Sequence, residues 1–228
     1  MRIHQRILKL IQKVFKNNNM VTLCYKYRDT SNIVRLLDIL IRNRLYACTC
    51  EKLNDPMEGK FLYSGISKDY KKRIKEKLDK MLICSLSASY DNGLLWTHYA
   101  NQHTGCCIEV EINVKSWMMK NISYKGTIPN VNEKTFPKDE DAIDAILFQK
   151  SKDWEYEKEM RFVKEKGKNI KPYLSVKVKK IYLGMRMEKT EKSFIKDVVK
   201  ILNKGRKEDD KITLQQMSNK EIDFGYDK

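Results

Sequence analysis

Nine residues, Trp154 to Phe162, constrain this chain more than any other stretch, because apolar and charged side chains alternate through them. Side chains on a β-strand point to opposite faces with a period of two. The alternation therefore predicts a strand with Trp154, Tyr156, Met160 and Phe162 on one face and Glu155, Glu157, Glu159 and Arg161 on the other. Three carboxylates sharing one face repel one another, and a sheet selected for stability alone would intersperse signs there. The spacing points to chemistry; a solvated strand face in a Lys-rich protein is the plain alternative.

The rest of the chain bounds what that strand can belong to. With 228 residues, 41% apolar and 10% aromatic, there is enough apolar surface for a proper core, which excludes a disordered chain. The formal charge of +16 favours anionic partners such as nucleic acid, nucleotides or an acidic antitoxin-like protein. That charge is spread along the whole chain, so it is a weak pointer to nucleic acid in particular. Cys24, Cys48, Cys50, Cys84, Cys106 and Cys107 sit in apolar segments without paired C-x-x-C spacing, as small buried residues in a reducing cytosol would. No apolar run approaches the roughly 18 residues that span a bilayer. A cytoplasmic protein with no membrane span is expected.

Residues 1–19 carry Arg2, Arg6, Lys9, Lys13 and Lys16 between Ile3, Ile7, Leu10, Ile11 and Val14, which is the spacing of a basic amphipathic helix. Residues 20–228 read as a single domain. Strands are predicted at 21–28, 45–50, 81–87, 106–112, 173–178, 180–183 and 211–216, and helices near 33–40, 68–80, 94–103, 142–149 and 190–202. Helices and strands mix without regular βαβ alternation, which indicates an α+β fold with a mainly antiparallel central sheet flanked by helices.

Several motifs are more specific: Tyr25-Lys26-Tyr27-Arg28; Leu45-Tyr46 followed by Asn54-Asp55-Pro56-Met57-Glu58; Ile83-Cys84-Ser85-Leu86-Ser87; and Leu95-Trp96-Thr97-His98-Tyr99-Ala100. They continue with His103-Thr104-Gly105-Cys106-Cys107-Ile108-Glu109, then Trp154 with Glu157-x-Glu159-x-Arg161, and Ile181-Tyr182-Leu183-Gly184. In this order, over residues 23–205, the chain resembles the bacterial domain-of-unknown-function family twenty-nine seventy-one. The resemblance implies a setting in phage defence or toxin systems. It also implies a distant likeness to ADP-ribosyltransferases, in which NAD is the substrate, a late-strand Glu is catalytic, and a basic or aromatic residue ends the first strand. Here those positions are Glu159 or Glu157, then Tyr27 and Arg28, with Tyr46 as the aromatic of the next strand. A His-on-strand or Ser-Thr-Ser element of the better-known branches is missing.

Cleaving the nicotinamide bond of NAD passes through an oxocarbenium-like ribose cation, so a fixed carboxylate such as Glu159 facing it lowers the barrier. Glu157 could then orient or deprotonate an acceptor, with Arg161 holding the two carboxylates together. Arg28 suits a pyrophosphate, since a guanidinium forks onto it better than an ammonium does. Tyr27, Tyr46, Trp96 or Tyr99 could stack on a ring, and His98 and the Asn54-Asp55 loop could line the cleft.

Each role has a duller rival. Glu157, Glu159 and Arg161 could form an ion-pair ladder with Lys26 or Arg28, Trp96 and Tyr99 could be core, His98 a hydrogen-bonded core histidine, and Asp55 an Asx-turn. Two other functions stay open: a non-enzymatic basic nucleic-acid-binding protein, and a metal-dependent nuclease using Asp55, Glu58, Glu157 and Glu159. His98 and His103, five residues apart, do not share a helical face, and no metal is expected.

Overall fold

The computed structural model describes residues 21–55, 57–62, 66–114, 116–125 and 128–223. The helix expected over residues 1–19 lies outside them. Seven strands make the central sheet: β1 (Val21–Arg28), β3 (Met81–Ser87), β4 (Cys106–Asn113), β5 (Met118–Asn121), β8 (Glu159–Glu165), β10 (Lys177–Leu183) and β11 (Thr213–Gln216). Their order is β11-β10-β4-β1-β3-β8-β5, antiparallel throughout except for the β10–β11 pair. Short strands β2 (Arg44–Tyr46) with β9 (Tyr173–Ser175), and β6 (Ser123–Tyr124) with β7 (Gln149–Lys150), form two small ribbons beside it.

Strands β3 and β4 are buried on both faces, which is why they read as nearly continuous apolar runs. On one face Leu82, Cys84, Leu86 and Phe162 pack with α1 (Ile33–Arg42) and α5 (Lys189–Asn203), through Leu36, Ile39, Leu40, Ile195 and Val199. On the other, Ile83 and Val163 meet α2 (Lys68–Leu78) and α4 (Asp139–Leu147), while Tyr27, Cys107 and Tyr182 meet α3 (Gly93–Tyr99). The charged α2 is anchored by Tyr70, Ile74 and Leu78, spaced one helical turn apart on a single buried stripe. Asn32, Ser67 and Asn92 cap α1, α2 and α3 by accepting a hydrogen bond from the backbone N–H three residues on.

Two expectations are corrected. Helix α3 ends at Tyr99 and does not run to His103, because Asn101, Gln102 and His103 all take positive φ and turn the chain towards β4. The strand expected from Trp154 begins only at Glu159. Residues Lys152–Glu157 form a 3-10 turn that closes on Lys158 in the left-handed region, and Lys158 is the charged residue that breaks the alternation.

The centre of the sheet is parted. β1 pairs with β4 at eight successive positions, from Val21↔Asn113 to Arg28↔Cys106, but with β3 only at Tyr25↔Ser87. Past that point a cleft opens between β1 and β3. Behind it, the ends of β1, β4 and β10 lock together by backbone contact at Gly105, where a Cβ would come within 2.2 Å of the Arg28 carbonyl oxygen. A Gly105→Ala chain must shift backbone there, so we expect a loss of about 2 kcal/mol in urea unfolding; an unchanged midpoint would show that this junction is plastic.

Candidate active site

The cleft encloses about 290 Å³. Its walls combine three kinds of side chain: cations from Lys26, Arg28, Arg35 and Lys150, rings from Tyr25, Tyr27, His98 and Tyr99, and the carboxylates of Asp29, Glu157 and Glu159. Because the sheet is parted, residues from both faces of β1 reach the same space.

Of these cations, Lys26, Arg28 and Arg35 have no carboxylate within ion-pairing distance among the described residues. Lys26 Nζ donates to the Ser85 carbonyl at 2.7 Å, and the buried Arg28 Nε has no hydrogen-bond partner. Burial pushes both pKa values down, and the charge of Arg28 adds to the effect on Lys26. A guanidinium nitrogen buried without a partner is costly, and an anionic ligand that accepts from it would relieve that cost.

Glu157 and Glu159 belong to a buried charge cluster. Lys150 Nζ lies 2.9 Å from Glu58 Oε1, 2.6 Å from Glu157 Oε2 and 3.6 Å from Glu159 Oε2. Arg161 bridges Glu58 Oε2 at 2.9 Å and Glu159 Oε1 at 2.7 Å, and donates through its remaining nitrogen to the Leu147 carbonyl. Three carboxylates thus meet two cations, and all five side chains are at most 8% exposed. Burial raises the Glu58 pKa, with the Glu159 charge adding to it and Arg161 and Lys150 opposing. For Glu159 burial acts in the same direction, but the charge and hydrogen bond of Arg161, with Lys150, outweigh it and hold the carboxyl below its ordinary range.

Tyr99 joins this cluster to the cleft. Its hydroxyl donates to Glu157 Oε1 at 2.6 Å and accepts from Asn54 Nδ2 at 2.7 Å. Burial raises its pKa, and the Glu157 carboxylate raises it further.

The cleft therefore gathers Tyr27, Arg28, Asn54, His98, Tyr99, Glu157 and Glu159 from the sequence candidates. Four others lie elsewhere. Tyr46 is half exposed and rests edge-on against Tyr173, because β2 pairs with β9 outside the main sheet. Trp96 is core, fully buried, its indole donating to the Tyr90 carbonyl and packed edge-on against Tyr27. Asp55 is the Asx-turn, accepting from the Met57 N–H at 2.8 Å. Arg161 lies beneath the cleft floor, in the ion-pair cluster.

The ion-pair ladder exists, but Glu58 and Lys150 complete it and Lys26 and Arg28 stay out. Lys150 carries no local signal in the sequence. It is one of 46 Lys and Arg residues, buried by a two-residue strand next to Leu147 and Phe148, with Trp154 over its ammonium. Its position among three carboxylates is where the nuclease reading needs a divalent ion. Among the described residues no His, Cys, Asp and Glu group is arranged to hold a metal. No described helix is long and apolar enough to cross a membrane, and all six cysteines are free.

No curated protein and no solved structure matches the chain. One family model does, over residues 95–162, the stretch that supplies His98, Tyr99, Lys150, Glu157, Glu159 and Arg161. That model is DUF2971, described as a protein of unknown function, and it is the family that the motifs of this chain resemble.

Proposed function

We propose that the protein is an ADP-ribosyltransferase-like enzyme that cleaves the nicotinamide bond of NAD in the cleft between β1 and β3. One observation carries this reading: cations without a carboxylate partner, Lys26, Arg28 and Arg35, line the same cleft as the buried carboxylates Glu157 and Glu159. The pyrophosphate of NAD suits Lys26, Arg28 and Arg35, and the ribose next to the reacting bond suits Glu157 and Glu159. Small-molecule pockets span about 300–1,000 Å³, so a 290 Å³ cleft holds one nucleoside-sized half of a dinucleotide and leaves the other half at the rim.

Glu159 fits the electrostatic role. Arg161 keeps it ionised, so it presents a fixed negative charge to the ribose as positive charge develops. Glu157, joined to the Tyr99 hydroxyl, is placed to take a proton. The formal charge of +16 favours an acidic acceptor, nucleic acid among them.

The test is release of nicotinamide from NAD by the purified chain. Glu159→Gln should slow it at least about 100-fold, as expected for losing one preorganised charge at a transition state. Arg28→Met supplies a second readout that does not need turnover. Removing a buried unpaired charge should leave the protein as stable as wild type or more so, while abolishing the rise in melting temperature that ADP-ribose gives the wild type. Absence of nicotinamide release, together with no thermal shift by ADP-ribose in the wild type, would sink the proposal.

A further inference from the structure

We infer that Tyr99 is the nucleophile of a covalent step, carrying the ribosyl group on its phenolic oxygen before transfer; the inference rests on the NAD-cleaving reading above. A hydroxyl nucleophile needs a base within hydrogen-bond reach, and the base needs a group that orients it. Tyr99 has both. Its hydroxyl donates to Glu157 Oε1 at 2.6 Å, and Glu157 is fixed from behind by Lys150, whose ammonium donates to Oε2 at 2.6 Å. Asn54 donates to the same phenolic oxygen at 2.7 Å, so charge that builds there as the proton leaves meets a hydrogen-bond donor. All four residues line the cleft that holds the cations.

The raised pKa of Tyr99 keeps the phenol protonated at rest, so the proton moves only as the new bond forms. A tyrosine backed by a carboxylate is an established solution for attack on an oxocarbenium-like centre in sialidases.

In the first step Tyr99 Oη bonds to C1′ of the nicotinamide ribose as the C1′–N bond breaks. The bonding pair leaves with nicotinamide, which departs neutral, and the phenolic proton passes to Glu157. In the second step an acceptor hydroxyl, or water in its absence, displaces Tyr99 from C1′. Glu157 returns its proton to the phenolic oxygen, and the acceptor's proton goes to solvent.

The experiment mixes the full chain with NAD, quenches in acid during the first turnover, and measures intact mass and modified peptides. One ADP-ribosyl group per chain, mapped to Tyr99, is expected. Tyr99→Phe should lose the adduct and release nicotinamide at least 100-fold more slowly, with Glu157 still held by Lys150. Asn54→Ala, at an exposed position, should slow the first turnover about tenfold without altering the melting temperature. With methanol as acceptor, two displacements give a methyl glycoside with retained configuration at C1′. Wild-type rates in Tyr99→Phe, or an inverted methyl glycoside, would overturn the covalent step while leaving NAD cleavage standing. A wild type that releases no nicotinamide would overturn the underlying reading, and this inference with it.

Discussion

Arg161→Met is expected to lower stability by about 3–5 kcal/mol, the usual result of removing one partner from a buried ion pair. The substitution conserves most of the volume, so packing contributes little to the loss. What it removes is the guanidinium that holds Glu58 at 2.9 Å and Glu159 at 2.7 Å, together with the donor to the Leu147 carbonyl. Among the described residues, Lys150 is then the only cation in ion-pair contact with the three carboxylates. Urea unfolding at pH 7 measures the loss. It should shrink at pH 5, where the orphaned carboxyls can protonate in place of staying buried and charged. A loss below 1 kcal/mol at pH 7, or one equally large at both pH values, would mean that the cluster does not depend on Arg161 charge.

The same cluster shows which parts of the molecule can be read from sequence. Strand β1 and strand β3 occupy the residues expected of them, because period-two burial and apolar runs are local signals. The nine-residue alternation predicts one continuous strand, and the break at Lys158 is imposed by backbone geometry. A left-handed Lys158 separates the 3-10 turn from β8. Glu157 and Glu159 still reach the same buried site, one from the turn and one from the strand, so the clustering of like charge was meaningful although the strand was too long. Glu58 and Lys150 could not be paired with them from spacing alone. Glu58 is about a hundred residues away and Lys150 is indistinguishable from its exposed neighbours. The partnership exists only once β7 and the turn after Asn54 fold against β8.

The same partnership leaves the other cations of the cleft without a carboxylate. Lys26 and Arg28 alternate with Tyr25 and Tyr27 on β1, and the ion-pair ladder with Glu157 and Glu159 that the spacing allows them does not form. The carboxylates they might have paired with are claimed by Lys150 and Arg161. Sequestering one set of charges leaves the other available to a ligand.

Within the cluster, Glu58→Gln and Glu159→Gln should change stability in opposite directions at neutral pH. The folded state raises the Glu58 pKa above its ordinary 4.5, so it binds the Glu58 proton more tightly than the unfolded chain does. That contribution is fully present below pH 4.5 and is lost as pH rises through the folded-state value. Glu159 is shifted downward, so its contribution is present above pH 4.5 and is lost as pH falls through its folded-state value. Glu58→Gln therefore removes a carboxylate that is unfavourable when charged, and should match or exceed wild-type stability at pH 8, with a smaller gain at pH 5. Glu159→Gln leaves Arg161 facing a neutral amide and should cost about 3 kcal/mol at pH 8, narrowing below pH 4. Urea unfolding at pH 4, 5 and 8 separates them. Equal losses for both variants at pH 8 would mean that the carboxylates share their cations evenly. Glu159 would then no longer stand out as the member of the cluster kept charged at the cleft wall.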